Sequence, residues 1–320
     1  MSDIQKECDR LKIVFMGTPE FGATILSKLL KFHEVVLVVT QPDKVVGRKK
    51  EIVFSPVKKL ALQNDINILQ PYKIKEVEEE ILKLDFDIIV TAAFGQFVSM
   101  RLINYPKYKA INVHGSLLPK YRGGAPIQRS IMNGEEETGI TIIYMAKKMD
   151  AGDMLSKRSI PILETDDADS MFEKLASLGS EMIIEALNDI ENNNLNIIAQ
   201  DENEATFAYN LTKEDELIDF SKTSKDVFNQ IRGLSSNPGA YFKIDNNIYK
   251  VYSSKIINFD HKEEPGVIVL VTKTSFAVSC GGFSTICFDQ IKPEGKKLMN
   301  VSDFLNGKGR NIITLNRRVL

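Results

Sequence analysis

Short β-rich runs and helical patterns alternate between residues 11 and 191, and this alternation limits the fold more than any other feature of the sequence. Leu11–Met16 (LKIVFM) has the composition of a buried strand, and a helical pattern to about Lys31 separates it from the next apolar run, Val35–Thr40. Later elements continue the pattern: strands at Asp87–Thr91, Ala110–His114, Thr138–Ala146 and Met154–Pro161, and helices at Pro56–Asn64, Ile74–Leu84 and Ala168–Ile190. Strands that helices separate form parallel βαβ units. The sequence therefore predicts an α/β domain over residues 1–204, with a doubly wound, Rossmann-like and mostly parallel sheet.

The composition and the periodicity of the sequence change after residue 191. Residues 191–204 are rich in Asn and acids, and residues 205–221 show no sustained periodicity, so we interpret 205–221 as a linker. A helix is predicted over Lys222–Gly233. Short alternating runs follow it at Tyr241–Ile244, Asn247–Ile257, Gly266–Val271, Phe276–Cys280 and Phe283–Ile291. Five short strands separated by turn residues predict a second, smaller domain over residues 222–320, an OB-like β-barrel.

Composition limits the compartment and the partners. No apolar run approaches the ~20 residues that a membrane-spanning helix needs, so no membrane partner is expected. The start, MSDIQKECDR, has no apolar stretch of the kind found in secretory signals. The cysteines, Cys8, Cys280 and Cys287, are too scattered for a disulfide framework, which favours the cytoplasm. Residues 205–320 hold 16 Lys+Arg against 12 Asp+Glu, a mildly basic balance of the sign that nucleic-acid binding requires.

Two polar side chains share one face of a predicted strand end. Because side chains alternate along a strand, Asn112 and His114 project together where Ala110–His114 stops at Gly115. A carboxamide beside an imidazole suits a reaction that builds negative charge on a carbonyl oxygen. Asp150, in the turn after Thr138–Ala146, would orient the imidazole if the order of the strands brings it close. The alternative is that all three side chains are structural. Asn112 would then hydrogen-bond to a turn, His114 would be a core histidine with its hydrogen bonds satisfied, and Asp150 would hydrogen-bond to its own backbone.

Nucleotide and metal cofactors are not indicated. The early GTPEFG places Gly17 and Gly22 without the G-x-G-x-x-G spacing of a dinucleotide site. No cluster of His, Cys and Asp has the spacing of metal ligands, so we expect no metal.

The polar strand end also carries a family resemblance. The run NVHGSLLP at Asn112–Pro119, the YRG at Tyr121–Gly123 and the later Asp150-x-Gly152 resemble the folate-dependent formyltransferases. Further matching segments extend the resemblance over nearly the whole chain: KIVFMGTPEFG near the start, Gln41–Lys58, Ala92–Gln96, Leu211–Asp215, Ile231–Tyr241 and Lys292–Gly309. The C-terminal segments resemble those members that act on methionyl-tRNA. The resemblance therefore implies transfer of a formyl group from 10-formyltetrahydrofolate to the α-amino group of initiator methionyl-tRNA.

The resemblance also implies roles for individual residues. Asn112 would donate to the formyl oxygen as it becomes an oxyanion, His114 would assist as a charged or proton-donating group, and Asp150 would orient His114 and relay a proton. Folate would bind along two loops, mostly through backbone groups. Those loops comprise Ala92, Ala93, Phe94, Gly95 and Gln96, and Ser116, Leu117, Leu118 and Pro119.

Basic residues are the expected contacts for RNA. Gln41–Ser55 carries Lys44, Arg48, Lys49 and Lys50, and by resemblance it enters the acceptor end of the initiator tRNA, with Arg48 as the reading residue. Lys296 and Lys297, in the C-terminal segment, are also assigned to tRNA. The alternative for the 41–55 segment is a solvated basic loop. We expect the protein to act as a monomer.

Three other functions remain open at this level. A sugar-nucleotide or glycinamide ribonucleotide formyltransferase would need neither the basic loop nor a basic β-domain. A non-catalytic nucleic-acid-binding protein would expose aromatics among basic residues, whereas Phe276, Phe283 and Phe288 lie in apolar runs and are expected in the core. A formyl-folate hydrolase would admit water in place of the amine.

Overall fold

The computed structural model describes residues 10–47 and 50–320, and strands and helices alternate along the first part of this range. The strands are β1 (Lys12–Gly17), β2 (Glu34–Val39), β3 (Lys44–Val46), β4 (Glu51–Val53), β5 (Ile68–Leu69), β6 (Ile88–Ala92), β7 (Ala110–His114), β8 (Glu137–Tyr144), β9 (Met154–Pro161), β10 (Ala240–Ile244), β11 (Asn247–Ile257), β12 (Ile268–Val271), β13 (Phe276–Ser279), β14 (Thr285–Pro293) and β15 (Met299–Asn300). The α-helices are α1 (Glu20–Phe32), α2 (Pro56–Gln63), α3 (Glu78–Ile81), α4 (Met100–Ile103), α5 (Pro126–Met132), α6 (Ala168–Glu191), α7 (Lys213–Glu216), α8 (Ser224–Gly233) and α9 (Val301–Leu305).

The first sheet has the order β5-β2-β1-β6-β7-β8-β9. Its first five strands pair in parallel, and β8 runs antiparallel to β7. The central strands β1 and β6 are almost entirely buried, as expected of strands that are covered on both faces. The prediction of an α/β class with a mostly parallel, doubly wound sheet is confirmed.

The strand order reverses between β1 and β6, which makes this the topological switch point of the sheet. The backbones of the two strand ends approach closely here, since a Cβ added to Gly17 would lie 2.8 Å from the carbonyl oxygen of Ala92. Only glycine permits that approach. Ligands of open α/β sheets bind outside the carboxyl ends of the strands at such a point, next to β6 and β7.

The chain folds as two interleaved units. The first comprises residues up to Gly124, Gly139–Ile160 and Phe172–Ala208; the second comprises Ala125–Thr138, Pro161–Met171 and Tyr209–Leu320. Within the second unit, α5 packs against α8, although the two helices lie far apart in sequence. The predicted boundaries at 204 and 222 stay a prediction about which segments fold independently.

The second unit is built on an antiparallel sheet with the order β10-β11-β14-β13-β12, and β15 pairs with β14. The last residues of the chain join the two edges. Lys243 of β10 exchanges backbone hydrogen bonds with Leu320, and Ile268 of β12 donates to the carbonyl of Arg317. This pairing closes the sheet into a barrel, as the sequence predicted for the C-terminal part. No free strand edge remains at this seam.

Three phenylalanines fill the barrel. Phe242, Phe276 and Phe288 are fully buried, with ring centroids 5.3–6.0 Å apart. The prediction that Phe276 and Phe288 lie in the core is confirmed. The same prediction for Phe283 is wrong: this residue is 70% exposed and has a φ of 56°, because it lies in the turn between β13 and β14.

Two local predictions also need correction. The periodic stretch 74–84 forms only a short 3-10 turn, Ile74–Glu76, and the single-turn helix α3. The 41–55 segment contains an antiparallel hairpin, β3–β4, where a loop was expected. Among the described residues, no helix is long and apolar enough to cross a membrane.

Candidate active site

Asn112, His114 and Asp150 converge at the carboxyl end of β7. Asn112 and His114 lie on one face of the strand, as the alternation predicted. The strand β8 pairs antiparallel with β7, and the turn that follows β8 carries Asp150 back to this edge. One carboxylate oxygen, Oδ1 of Asp150, lies 3.4 Å from Nδ2 of Asn112 and 3.7 Å from Nδ1 of His114.

The orientation of the Asn112 amide is set by two neighbours. The hydroxyl of Thr91, at the end of β6, donates to Oδ1 of Asn112 over 2.7 Å. The carboxylate of Asp150 can only accept, so it favours the NH₂ group of Asn112 on its own side. Together these contacts turn the donor end of the amide toward Asp150 and the edge of the sheet.

His114 is buried and lies between two acceptors. Its Nε2 is 3.0 Å from the carbonyl oxygen of Tyr121, and its Nδ1 faces the carboxylate of Asp150. A carbonyl oxygen accepts but never donates, so Nε2 carries a hydrogen. A hydrogen on Nδ1 would point to the carboxylate of Asp150, which can accept it.

Asp150 is held in an uncommon backbone conformation. Its φ of 51° lies in the left-handed region, which few residues other than glycine adopt. Its second carboxylate oxygen, Oδ2, accepts a hydrogen bond of 2.9 Å from the backbone N–H of Gly123. The carboxylate therefore joins the loop after β7 to the turn after β8.

The two loops assigned to folate differ in what they expose. Ala93 and Gly95 are exposed and have positive φ values, whereas Phe94 and Leu118 are buried in the core. Ser116 turns its hydroxyl back to the carbonyl of Lys120, 2.7 Å away. Ala92 and Pro119 are buried, and Leu117 and Gln96 are partly exposed. The buried side chains of these loops are therefore not available to a ligand, and the prediction that folate binds here through backbone groups stays a prediction.

Glutamines tie the 92–96 loop to the neighbouring segments. Gln41 donates to the carbonyl of Phe94 over 3.0 Å, and Gln96 donates to the carbonyl of Pro71 over 3.0 Å. Gln70 donates to the backbone carbonyl of Gln41 over 3.0 Å. These amides connect the segments that follow β2, β5 and β6 at the carboxyl edge of the sheet.

Sequence reasoning missed a segment that completes this edge. Arg122, which is 2% exposed, donates twice to the side-chain oxygen of Gln200 and pairs with Glu202 at 2.9 Å. The hydrogen bond from Arg122 lowers the pKa of the Glu202 carboxyl. Thr206 accepts a hydrogen bond from the backbone N–H of Tyr121. Residues 191–221 carry no periodicity that could have indicated this contact. The one available signal was Arg122 itself, an arginine within the YRG motif.

The basic residues assigned to tRNA lie on two separate elements. In the first unit, Lys44 begins β3 and Lys50 precedes β4; both are exposed, while Arg48 and Lys49 lie outside the described residues. The same hairpin exposes an apolar cross-strand pair, Val45 and Ile52. In the second unit, a shallow pocket is lined by Ser236, Tyr252, Lys292, Lys296, Lys297 and Leu298.

Over residues 10–47 and 50–320, no group of three or more His, Cys, Asp or Glu side chains is placed to hold a metal ion.

Two protein-family models match the chain. The "Formyl transferase" model matches residues 11–187, and the "Formyl transferase, C-terminal domain" model matches residues 210–309. The chain is 46% identical to a methionyl-tRNA formyltransferase of Mycoplasma capricolum, over 94% of this chain and 96% of that protein. It is also 46% identical to a methionyl-tRNA formyltransferase of Staphylococcus epidermidis, over 94% of this chain and 98% of that protein.

Solved structures share the fold at lower identity. An N-formyltransferase of Helicobacter canadensis, in complex with folinic acid and dTDP-3-aminofucose, matches with a TM-score of 0.67 at 22% identity, over 87% of this chain and 98% of that one. HypX of Aquifex aeolicus, in complex with tetrahydrofolic acid, matches with a TM-score of 0.66 at 15% identity, over 95% of this chain and 48% of that one. The family resemblance seen in the motifs is confirmed by the models and by the relatives, and the chain belongs to the formyl transferase family.

Proposed function

We propose that this protein transfers the formyl group of 10-formyltetrahydrofolate to the α-amino group of initiator methionyl-tRNA. The observation that carries the proposal is the convergence of Asn112, His114 and Asp150 within 3.4–3.7 Å at the carboxyl edge of the sheet. Relatives of the same family that are 46% identical over almost their full length are methionyl-tRNA formyltransferases, which supports this substrate pair.

Asn112 stabilises the charge that develops on the formyl oxygen. When the amine nitrogen attacks the formyl carbon, the π electrons of the C=O bond move to the oxygen. Thr91 already holds the Asn112 amide by its oxygen end, so its N–H donors do not reorient as the oxyanion forms. Preorganised donors of this kind contribute more than mobile ones because they require no reorganisation.

His114 and Asp150 handle charge and protons. The attacking amine becomes cationic and must lose a proton, and N10 of the folate must gain one as the C–N10 bond breaks. Asp150 is the nearby base that takes the proton from the amine and relays it to N10, while the electrons of the oxyanion re-form the C=O bond and the C–N10 bond breaks. The imidazolium of His114 adds positive charge beside the oxyanion. The carboxylate in turn keeps the imidazole oriented.

The folate assignments rest on exposure and on the position of the two loops at the carboxyl ends of their strands. Ala93 and Gly95 are exposed, and the 92–96 and 116–119 loops follow β6 and β7, the strands that carry Thr91 and Asn112. We assign all nine residues of the two loops to the folate site, with contacts made by backbone groups rather than by the buried Phe94 and Leu118 side chains.

The RNA assignments rest on charge. Lys44, Lys49, Lys50, Lys296 and Lys297 would attract phosphates, which is independent of sequence and sensitive to salt. Arg48 has a planar guanidinium that grips a base edge or a phosphate in a fixed orientation, so we assign it the choice of initiator tRNA. We further propose that the protein works as a monomer in the cytoplasm.

The test is direct. The purified protein is mixed with 10-formyltetrahydrofolate and methionine-charged initiator tRNA, and both formyl-methionine and free formate are measured. We expect formyl-methionyl-tRNA from the native protein and a loss of about 10²–10³ in kcat in Asn112→Ala. Release of formate without formyl-methionine would instead establish a hydrolase. Unchanged kcat in Asn112→Ala would refute the mechanism.

A further inference from the structure

Gln200 makes four hydrogen bonds through one side-chain amide. Its Nε2 donates to the carbonyl oxygens of Asp150 and Gly152 over 2.8 and 2.7 Å. Its Oε1 accepts from Nε and Nη2 of Arg122 over 3.0 and 2.8 Å. Carbonyls only accept and a guanidinium only donates, so the amide has one possible orientation, in which both of its N–H groups and its oxygen are engaged.

These bonds act on the part of the backbone that needs support. The left-handed conformation of Asp150 costs free energy and persists only where its surroundings hold it. The side-chain amide of Gln200 donates to the backbone carbonyls of Asp150 itself and of Gly152, two residues later. It therefore fixes the direction in which the Asp150 side chain leaves the backbone.

The other end of the network acts on the carboxylate. Arg122 is buried, and Gln200 and Glu202 hold its guanidinium. The residue that follows Arg122 is Gly123, whose backbone N–H donates to Oδ2 of Asp150. Gln200 thus joins the backbone of Asp150 to the loop that holds its carboxylate, and all of these residues lie in the first unit.

We propose that Gln200 is a positioning residue for the transfer reaction: it sets the carboxylate of Asp150 against Asn112 and His114 without touching the reacting groups. The inference rests on the proposed function, because it assigns to Gln200 an effect that passes through Asp150. A displacement of about 1 Å at a catalytic group can lower a rate by about 10²-fold.

The decisive variant is Gln200→Glu. Glutamate keeps an oxygen for Arg122 and loses both donors to the turn, so it faces the carbonyls of Asp150 and Gly152 with a second acceptor. We expect kcat to fall by about 10²-fold while KM for each substrate changes less than about threefold. Gln200→Met, similar in length but without polar atoms, should give a comparable loss. Gln63→Glu, at an exposed glutamine of α2, is the matched control and should leave the kinetics unchanged.

A double variant separates positioning from a general structural role. Gln200→Glu added to Asp150→Asn should cost little more than Asp150→Asn alone, because the carboxylate on which Gln200 acts is already gone. A multiplicative loss in the double variant, or a rise in KM with unchanged kcat, would overturn the inference. Thermal unfolding of each variant verifies that the folded state is being compared.

The failures of the two proposals are distinguishable. If Asp150→Asn alone retains native kcat, the role of Asp150 in the proposed function is wrong. If Asp150→Asn collapses turnover and both Gln200 variants retain it, the proposed function stands and only the inference about Gln200 is overturned.

Discussion

Replacing the carboxylate of Asp150 by an amide tests the charge arrangement of the candidate site with little change in shape. In Asp150→Asn, the side-chain oxygen can still accept from the N–H of Gly123, so the turn keeps that hydrogen bond. What disappears is the negative charge 3.7 Å from Nδ1 of His114. An imidazolium then has no counter-charge, and the attacking amine has no base.

The size of the effect follows from the distance. Two unit charges 3.7 Å apart interact by about 4.5 kcal/mol at an effective dielectric constant of about 20, and by about 1 kcal/mol in water. The His114 and Asp150 side chains are only 6% and 15% exposed, which favours the upper value. The resting site already makes this interaction, so kcat loses only the part that grows in the transition state. Since 1.36 kcal/mol is a factor of ten, the full value sets an upper bound of about 10³-fold on this contribution, and we expect kcat to fall by at least about tenfold.

The assay is a single-turnover measurement of formyl transfer to methionyl-tRNA, with both substrates saturating so that binding does not limit the rate. Asp153→Asn is the control, because Asp153 lies three residues away in the same turn and its side chain is exposed. We expect native kinetics in that variant. A loss of less than tenfold in Asp150→Asn, with the fold intact, would refute the electrostatic reasoning.

Three further outcomes are expected. In Gly152→Ala, the new Cβ would lie 1.7 Å from the carbonyl oxygen of Tyr144, so the free energy of unfolding, measured by denaturant titration, should fall by at least about 1–3 kcal/mol. Gly307→Ala is the control, because its Cβ would have no neighbour closer than 3.7 Å, and it should be tolerated. Burial lowers the pKa of His33, whose ring nitrogens have no hydrogen-bond partner among the described residues. The unfolded chain then takes up a proton below pH ~6.5 that the folded state resists, so stability should fall from pH 7.5 to 5.5 in the native protein, and less in His33→Leu, by urea unfolding. Alanine at both Lys296 and Lys297 should weaken tRNA binding irrespective of sequence and reduce the slope of log K against log salt by about one for each phosphate that is no longer neutralised; an unchanged slope would place these lysines away from RNA.

Local pattern was enough to predict the strand that carries Asn112 and His114. The strand Ala110–His114 was predicted with the bounds it has in the structure, and its period of two places Asn112 and His114 on one face. Asp150 is different, because its approach depends on β8 pairing with β7 in the register that sets His114 opposite Thr141. A sequence indicates where strands form more readily than it indicates which strands pair. The assignment of Asp150 therefore depended on the strand order and on the family resemblance.

Residues that act through non-local hydrogen bonds left no periodic signal. Gln200 and Thr206 lie on either side of a short 3-10 helix, Glu202–Glu204, in a segment between α6 and α7. Their partners are 48 to 85 residues away in the sequence. The packing partner of α5 could not be predicted for a related reason. Helix α5 has an ordinary amphipathic pattern, and nothing in that pattern indicates that it packs against α8, about a hundred residues later. Hydrophobic periodicity identifies the face that is buried, but not the element that buries it.

The hydrogen-bond lengths around the candidate site distinguish the groups that orient from the side chains to which we assign the reaction. The contacts that fix the reactive side chains are short: 2.7 Å from Thr91 to Asn112, 3.0 Å from His114 to Tyr121, and 2.9 Å from Gly123 to Asp150. The contacts between the reactive ends are long, at 3.4 and 3.7 Å, and both converge on a single oxygen of Asp150. The donors of Asn112 and His114 are therefore oriented but weakly engaged. An interaction accelerates a reaction only if it is stronger in the transition state than before it. An oxyanion that develops beside these donors gains bonds that the resting site has not already made, which is why we place the formyl oxygen there.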